Sequence, residues 1–329
     1  MSEFAGRLGR TFSDFDREKL RRAQIGLTIA LVILFLILYL MNRDPLRLTQ
    51  QFLPGTSMPQ FLYSIYGPNA DEMMAKPMAV TVSGNRVYVA DTGNSRVQVY
   101  DYNGNHLLSF GSNGRSPGQF RFPYGVATDS DGRILVADMY NNNVSVFTPN
   151  GDFLHYFGTS LDFGSPAGLF ADDGRIYVAD VGLHKISVFD ESGEKILEFG
   201  SEGTEPGQFR SPNAVTVSRQ YVIVSDTGND RIQFFNKLGT YIGHISGVSK
   251  NKQFINPRGL AMDPQGVIYL VNNLTHELLA MNEQGELQYV VGGMGQGPGQ
   301  FYLPNGLFID NQGRIYVTDT SNRRVNVYR

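Results

Sequence analysis

The residues of this chain that could do chemistry recur at a regular spacing. An Asp, an Asn three positions later and an Arg two positions after that occur at Asp91/Asn94/Arg96, Asp226/Asn229/Arg231 and Asp319/Asn322/Arg324. Two further copies, at Asp138 and Asp180, lack the full set. Carboxylate and amide oxygens are ligands for calcium, and a carboxylate can act as an acid or a base. In turns, however, Asp and Asn side chains commonly accept hydrogen bonds from nearby backbone N–H groups. We therefore interpret this set, called here the Asp–Asn–Arg set, as a structural turn motif.

Cysteine and histidine restrict the metal sites that the chain could build. There is no cysteine, which excludes disulfides, thiolate zinc sites and cysteine nucleophiles. The five histidines are His106, His155, His184, His244 and His276. A zinc site needs about three protein ligands on one centre, and the sequence does not group these histidines in that way. We predict no metal, no cofactor and no catalytic residue.

The elements that must carry the Asp–Asn–Arg set are β-hairpins. In Asn85–Tyr100, two runs rich in Val and Tyr, Arg86–Ala90 and Arg96–Tyr100, flank the polar turn Asp91–Ser95. This pattern is typical of a hairpin with a loop of about five residues. The hairpin recurs at Arg133–Phe147, Arg175–Phe189, Tyr221–Phe235, Val267–Met281 and Arg314–Tyr328.

The spacing of these hairpins predicts the fold. A strand that starts with proline precedes each one, at Pro77, Pro123, Pro166, Pro212, Pro257 and Pro304, and a fourth strand ending in Gly follows the first five. Four short strands in each period of about 45 residues are typical of a β-propeller blade. The sixth copy stops after three strands, and Phe61–Gly67 resembles the missing fourth strand. We predict an all-β, six-bladed propeller over residues 59–329, with this N-terminal strand closing the last blade.

A propeller separates the Asp–Asn–Arg sets, one to a blade, so that they cannot converge on one atom. We therefore expect function where the blades differ, at the residue after each proline, on the strand nearest the central channel. These positions hold Met78, Tyr124, Ala167, Asn213, Arg258 and Asn305. A cation, two amides and a phenol could hold an anion or a polar ligand by hydrogen bonds. The predicted ligand site is Tyr124, Asn213, Arg258 and Asn305, and the alternative is a solvated funnel without a specific ligand.

The repeats resemble NHL repeats, in which a proline-started strand leads to a Val-Ala-Asp-x-x-Asn-x-Arg-Val hairpin. The resemblance covers about residues 59–329 and implies a propeller, a fold that hosts many activities. Similar propellers include peptide-amidating lyases, which bind zinc through histidines after the proline, and calcium-dependent lactonases, which need clustered carboxylates. None of the six channel positions holds His, Asp or Glu, so an enzyme is the alternative and not the main prediction.

The N-terminal residues predict a membrane anchor. Residues 23–41 carry no charge over 19 positions, which as a helix would span roughly 28 Å, close to the hydrocarbon core of a bilayer. Six basic residues precede this stretch, and the positive-inside rule then leaves residues 1–22 in the cytoplasm. Residues 42–58 serve as a stalk, and the propeller is expected on the outer side of the membrane.

Charge and topology define the expected partners. The net charge is −3, and the residues after position 41 carry 22 Lys and Arg against 27 Asp and Glu. An acidic domain outside the cytoplasm opposes nucleic-acid binding. We predict a single-pass membrane protein whose propeller is a non-enzymatic binding or scaffold module for a protein or ligand at the cell envelope. The alternatives are a metal-dependent lyase or lactonase-like enzyme, and a sensor module that works through a partner. The sequence does not indicate an oligomeric state.

Overall fold

The strands of this protein form because Val, Ile, Tyr and Phe alternate with small and polar residues between Gly-containing turns. The computed structural model describes residues 58–248 and 252–329. Within them, six four-stranded antiparallel sheets are arranged as the blades of a propeller, and one two-stranded hairpin is inserted between two blades. The structure confirms the all-β, six-bladed propeller that the repeat spacing predicts.

Each blade has the strand order a-b-c-d from the channel outward. The a strands are β2 (Pro77–Ser83), β6 (Pro123–Thr128), β10 (Pro166–Asp172), β14 (Pro212–Val217), β20 (Pro257–Met262) and β24 (Leu307–Ile309). The b strands are β3 (Arg86–Asp91), β7 (Ile134–Asp138), β11 (Arg175–Asp180), β15 (Val222–Asp226), β21 (Ile268–Asn272) and β25 (Ile315–Asp319).

The outer two strands complete each sheet. The c strands are β4 (Arg96–Asp101), β8 (Asn143–Phe147), β12 (Lys185–Asp190), β16 (Arg231–Phe235), β22 (Glu277–Met281) and β26 (Arg324–Tyr328). The d strands are β5 (His106–Phe110), β9 (Phe153–Phe157), β13 (Lys195–Phe199), β17 (Tyr241–Ile245), β23 (Leu287–Gly292) and, for blade 6, β1 (Phe61–Ile65). The inserted hairpin pairs β18 (Gly247–Val248) with β19 (Lys252–Gln253). Short 3₁₀ turns lie between b and c strands at Thr92–Asn94, Thr227–Asn229, Asn273–Thr275 and Thr320–Asn322.

The N-terminal strand closes the ring. Strand β1 pairs antiparallel with β26, as the sequence predicts, and the Ser64 hydroxyl donates to Asn326 Oδ1 at 2.7 Å. Ile65 is 1% exposed and belongs to the apolar cluster between blades 6 and 1. The first strand of the propeller and the last strand of the chain therefore belong to one sheet, and β1 covers the outward edge of β26, which would otherwise be unpaired.

The hydrophobic core is divided among the six blade junctions, with one cluster of buried residues at each. The recurrent Gly-Gln-Phe places a phenylalanine in three of them, since Phe120, Phe209 and Phe301 are all 0% exposed. Gly111, which follows a d strand at φ +90°, allows the Phe120 ring to pack close, because a Cβ there would lie 2.4 Å from that ring. The recurring spacing of Gly and Phe along this chain thus reflects packing between blades.

The predicted anchor at residues 23–41, together with the tail and nearly all of the stalk, lies outside the described residues. In the part of the chain that the structure describes, no helix combines the length and the apolar character needed to cross a membrane.

Candidate binding site in the central channel

Four of the six channel positions meet at the end of the channel where the a strands begin. The Tyr124 hydroxyl donates to Asn213 Oδ1 at 2.7 Å, and Asn305 Nδ2 lies 3.1 Å from the same hydroxyl oxygen. Arg258 Nη1 donates to the Tyr124 oxygen at 3.0 Å and to Asn213 Oδ1 at 2.8 Å. Asn305 Nδ2 also donates to the Met78 carbonyl at 3.0 Å. The group Tyr124, Asn213, Arg258 and Asn305, called here the polar cluster, joins side chains of blades 2, 4, 5 and 6.

The positions of these side chains follow from the strand geometry. The a strands contact one another around the channel, so that residues near their first ends converge from different blades. Tyr124, Asn213 and Asn305 are buried, with exposures of 6%, 6% and 5%. Ala167, the equivalent residue of blade 3, is 0% exposed, and its carbonyl packs against Gly125 where a Cβ would collide. Blade 3 therefore contributes backbone where the other blades contribute side chains.

Arg258 brings a positive charge that pairs with no carboxylate of the described residues. Its Nε donates to Asn256 Oδ1 at 3.2 Å, and its Nη1 donates to the two neutral oxygens of the polar cluster. Across residues 58–248 and 252–329, no Asp or Glu oxygen lies within 4.0 Å of its guanidinium nitrogens. A half-buried guanidinium held by neutral acceptors retains both its charge and free donor capacity for an anion.

The polar cluster forms one end of a cavity of about 280 Å³ in the channel. Its walls come from all six a strands, and they are mostly apolar or carry small polar groups. The cavity is lined, beside the polar cluster, by residues that include Met78, Thr81, Thr128, Leu169, Phe170, Thr216, Met262, Phe308 and Ile309. Arg258 is the only charged residue that lines it within the described part of the chain. An apolar cavity with a few convergent polar groups is the usual form of a small-molecule site.

The other end of the cavity meets a wide, charged depression. Met262, Ile309 and Asn311 line both spaces. The depression is bordered by acidic and basic side chains from the turns between a and b strands and from neighbouring turns, namely Asp172, Asp173, Arg175, Arg219, Lys237, Asp263, Glu283 and Asp310. The cavity is therefore polar and cationic at one end and leads toward mixed charge at the other.

Stacked aromatic rings support the polar cluster from blade 2. The Phe122 ring lies 6.4 Å from the Tyr124 ring and 4.6 Å from the Tyr140 ring, with interplanar angles of 27° and 28°. The Arg121 guanidinium carbon lies 5.8 Å from the Tyr140 centroid. This stack limits the freedom of the Tyr124 ring and fixes where its hydroxyl points.

The Asp–Asn–Arg sets lie apart from this cavity, one in each of blades 1, 4 and 6. In blade 4, Asp226 Oδ2 accepts from Arg231 Nε at 2.7 Å and from Asn229 Nδ2 at 2.9 Å, and Asp226 Oδ1 accepts from the Arg210 backbone N–H. Arg231 Nη2 also donates to the Glu205 and Gln208 carbonyls. The same arrangement holds for Asp91/Asn94/Arg96 and Asp319/Asn322/Arg324. Each set ties the turn between b and c strands to the loop that precedes the a strand.

Asp138 and Asp180 are buried in the same position of blades 2 and 3, but neither pairs with a cation of the described residues. Asp138 accepts four backbone N–H bonds, from Arg121, Phe122, Tyr140 and Asn141, at 2.6 to 3.1 Å. Asp180 likewise accepts from the N–H groups of residues 164, 165, 182 and 183. In these two blades the backbone alone satisfies the carboxylate.

Some partners in these turns are not evident from the Asp–Asn–Arg spacing. Gln98 and Gln233 donate to Asp91 and Asp226 at 2.7 and 2.9 Å, and Asn326 takes the same position in blade 6. The sequence signal for these additional partners is a polar residue two positions after the Arg of each Asp–Asn–Arg set. The residue after the Asp bridges to the next blade, since the Thr92 and Thr227 hydroxyls donate to the carbonyls of the prolines that begin β6 and β20.

The histidines are placed away from the cavity. His106, His155 and His244 lie on d strands, while His184 and His276 end turns between b and c strands. His184 Nδ1 and His276 Nδ1 accept backbone N–H groups of the following blade, from Ser211 and Leu303 at 3.0 Å. In residues 58–248 and 252–329, no three His, Asp or Glu side chains are grouped so that they could hold a metal ion.

Comparison with known proteins assigns the repeats. Residues 75–100 and 120–147 match the NHL repeat, and residues 260–329 match a family described as a 6-bladed beta-propeller. Residues 75–100 and 120–147 are therefore NHL repeats within a six-bladed β-propeller, called here the NHL propeller. The NHL propeller is 30% identical over 135 residues to protein brain tumor of Drosophila melanogaster, covering 40% of this chain and 12% of that protein. It is 27% identical over 128 residues to human NHL repeat-containing protein 3, covering 35% and 37%.

A solved structure shares the architecture of the NHL propeller. Virginiamycin B lyase from Staphylococcus aureus superposes with a TM-score of 0.57 at 14% identity, over 82% of this chain and 88% of that one. At this identity the likeness concerns the fold alone. The matched regions are well under half the length of both curated relatives, so activities of those whole proteins do not follow for the NHL propeller.

Proposed function

We propose that this protein is a non-enzymatic binding module that holds an anionic group of a ligand or protein partner in the channel of its propeller. The observation that carries the proposal is Arg258. Its guanidinium lies at the polar end of the cavity, is fixed by neutral oxygens of Tyr124 and Asn213, and has no carboxylate partner in the described residues. A fixed cation in a partly desolvated cavity favours an anion through charge-assisted hydrogen bonds.

The surroundings of Arg258 support binding over a purely structural role. Structural arginines of this fold, such as Arg231 and Arg324, pair with a buried Asp at 2.7 and 2.8 Å. Arg258 bonds only to neutral groups, and no other charged side chain of the described residues lines its cavity. Burying an unpaired charge costs free energy, and an anionic ligand would offset that cost.

The proposal is tested by stabilisation of the full-length chain in detergent with anions. The probes are sodium acetate, benzoate, phosphate and sulfate at constant ionic strength, with the thermal unfolding midpoint as the measurement. At ten times its dissociation constant, a bound anion should stabilise the native state by about 1.4 kcal/mol. Arg258→Met should abolish the response, and Arg115→Met, which removes an exposed arginine, should keep it. Equal responses of the two variants would contradict the proposal.

We also propose the location that the sequence favours: a single membrane anchor at residues 23–41, with the N-terminus in the cytoplasm and the propeller outside it. The uncharged stretch and the basic residues ahead of it support this arrangement. A partner would then be a component of the cell envelope.

Single introduced cysteines test this topology, because the chain has none of its own. Gln265→Cys lies in an exposed turn of the propeller, and Ser13→Cys lies in the proposed cytoplasmic tail. A membrane-impermeant maleimide should label the first in intact cells with permeable outer layers and should reach the second only after lysis. Labelling of the tail and protection of the propeller would reverse the topology.

A further inference from the structure

The charge around the channel cavity is suited to a ligand with one negative charge. Arg258 supplies one positive charge, and Tyr124, Asn213 and Asn305 are neutral. The Tyr124 hydroxyl donates its one proton to Asn213 Oδ1, and the amide nitrogens of Asn213 and Asn305 already donate to backbone carbonyls and to the Tyr124 oxygen. On the guanidinium, Nε donates to Asn256 and Nη1 donates to Tyr124 and Asn213. Among the described residues, the two N–H groups of Nη2 therefore remain available for the oxygens of a carboxylate.

The cavity walls are suited to an apolar body attached to that carboxylate. Leu169, Phe170, Met262, Phe308 and Ile309 contribute apolar surface along the a strands. Threonine hydroxyls are the main polar groups of the wall, and they are compatible with a body of low polarity. A second charge on the ligand would be buried without a partner, which is costly.

The volume of the cavity limits the size of the ligand. An apolar cavity of about 150 Å³ holds benzene, which has six non-hydrogen atoms. In proportion, the 280 Å³ here accommodates about eleven. Larger molecules would have to extend into the charged depression beyond Met262 and Ile309, where an apolar chain gains little.

We infer that the channel cavity binds a monocarboxylate with a compact apolar body of about ten to twelve non-hydrogen atoms, with its carboxylate on Arg258. This inference rests on the proposed function and specifies its ligand. The same chemistry can come from a free organic acid or from the apolar C-terminal residue of a peptide, and the test separates these sources.

Calorimetric titration of the full-length protein with a graded series of acids tests the inference. The probes are acetate, hexanoate, benzoate, 3-phenylpropionate and dodecanoate, with benzamide as the neutral analogue. We expect 3-phenylpropionate to bind at least about 30-fold more tightly than acetate, because it buries seven more non-hydrogen atoms. Dodecanoate should bind no more tightly than 3-phenylpropionate, and benzamide should bind at least tenfold more weakly than benzoate.

Variants of the two ends of the cavity make the result specific. Arg258→Met should remove the preference for benzoate over benzamide, while Arg258→Lys should restore part of it. Leu169→Trp, which fills the cavity from its wall, should weaken 3-phenylpropionate at least tenfold and leave acetate within about twofold. Met262→Trp serves the same purpose from another blade if the first variant lowers the unfolding midpoint. Unchanged binding of 3-phenylpropionate in a folded wall variant would overturn the inference.

The outcomes separate the inference from the proposed function. Binding of acetate, phosphate or sulfate that depends on Arg258, without any gain from apolar size, would keep the proposed function and reject the inferred ligand class. No response to any anion that depends on Arg258 would reject both. The tripeptide Gly-Gly-Phe and its C-terminal amide identify the source of the carboxylate. If the tripeptide with a free carboxylate binds as tightly as 3-phenylpropionate, the ligand is a peptide terminus. If it binds at least tenfold more weakly, the ligand is a free organic acid.

Discussion

Blades 1, 4 and 6 and blades 2 and 3 bury the same aspartate in two different environments. In the first group the carboxylate is paired with an Arg and an Asn and accepts one backbone N–H from the preceding loop. In the second group it pairs with no cation of the described residues and accepts four backbone N–H groups. The comparison teaches that the fold requires a satisfied carboxylate at this position, and that the cation is one of two ways to achieve it.

The backbone explains why the two groups differ. The residue before the proline of blades 1, 4 and 6 is left-handed, with φ of +52°, +51° and +51° at Lys76, Ser211 and Leu303. The N–H of that residue then does not reach the Asp. Phe122 and Ser165, at the same position of blades 2 and 3, are not left-handed, and their N–H groups bond to Asp138 and Asp180. In blades 1, 4 and 6, Arg and Asn side chains therefore donate the hydrogen bonds to the Asp carboxylate that backbone N–H groups donate in blades 2 and 3.

Among the variants that test this comparison, the one that removes the cation of blade 4 should lower the free energy of unfolding most. Arg231→Met leaves Asp226, which is 0% exposed, as a buried carboxylate without its counter-ion. We expect the free energy of unfolding in denaturant to fall by about 3 to 5 kcal/mol. Asn143→Met, at the same position of blade 2, should change it by less than about 0.5 kcal/mol. Equal losses would show that the cation is not what distinguishes the blades.

The glutamine that donates to the Asp of blade 4 tests the same comparison, with a smaller expected loss of stability. Gln233 is 0% exposed and donates to Asp226 Oδ2 at 2.9 Å and to the Gln208 carbonyl at 2.6 Å. Gln233→Leu should lower the free energy of unfolding by about 1.5 to 3 kcal/mol, because a charge-assisted hydrogen bond is lost. Ser187 holds this position in blade 3, and its hydroxyl has no hydrogen-bond partner among the described residues, so Ser187→Ala should be nearly neutral. A larger loss for Ser187→Ala would contradict this interpretation.

Blade 5 is intermediate, because its ion pair places the carboxylate on the c strand and the cation on the inserted hairpin. Asn272 replaces the Asp, Glu277 stands at the Arg position, and Lys252 Nζ lies 2.7 Å from Glu277 Oε1. Lys252→Met should lower the free energy of unfolding by about 1 kcal/mol, since both side chains are only one-fifth exposed. Lys237→Met removes a more exposed pair with Asp172 and is the matched control. Equal losses of unfolding free energy in the two variants would show that the ion pair of blade 5 contributes no more than an ordinary surface pair.

The smallest expected effect concerns blade 3, where Lys185 stands at the Arg position but pairs with Glu198 at 2.6 Å. The hydrogen bond from Lys185 lowers the pKa of Glu198, with a further contribution from Lys195. A lowered pKa in the folded state contributes stability above the ordinary glutamate pKa of about 4.3, and this contribution is lost as the pH falls through the lower value.

Lys185→Met should therefore reduce the loss of stability on acidification, by well under 1 kcal/mol for this exposed pair. The measurement is the unfolding midpoint at about pH 6 and about pH 3, since these values bracket the carboxyl titration. Asn143→Met should leave the pH dependence unchanged. An increased dependence in Lys185→Met would reverse the assigned sign.

Much of the fold could be predicted from the sequence, because the pattern that specifies each blade is local and is repeated along the chain. The Gly and Asn of the turn and the Val and Tyr residues around Asp91–Arg96 predict a hairpin, and five further copies predict the number of blades. The need to pair the last sheet also pointed to the closing strand over Phe61–Ile65. The two carboxylate environments could not be predicted, since they depend on whether residues such as Ser211 and Phe122 adopt a left-handed conformation.

The sequence by itself determined which position to compare among the blades, because the residue after each proline is fixed by the repeat. Five of these six residues line the cavity, whereas Ala167 is fully buried and is not among its lining residues. The sequence did not determine that Tyr124, Asn213, Arg258 and Asn305 would bond to one another, since they are separated by up to 181 positions along the chain. Only the closed ring brings blades 2, 4, 5 and 6 to one axis, where Arg258 has neutral neighbours and no carboxylate among the described residues. The tertiary structure thus decided the charge of the cavity, because charge at a site depends on which side chains the fold places together and which it keeps apart.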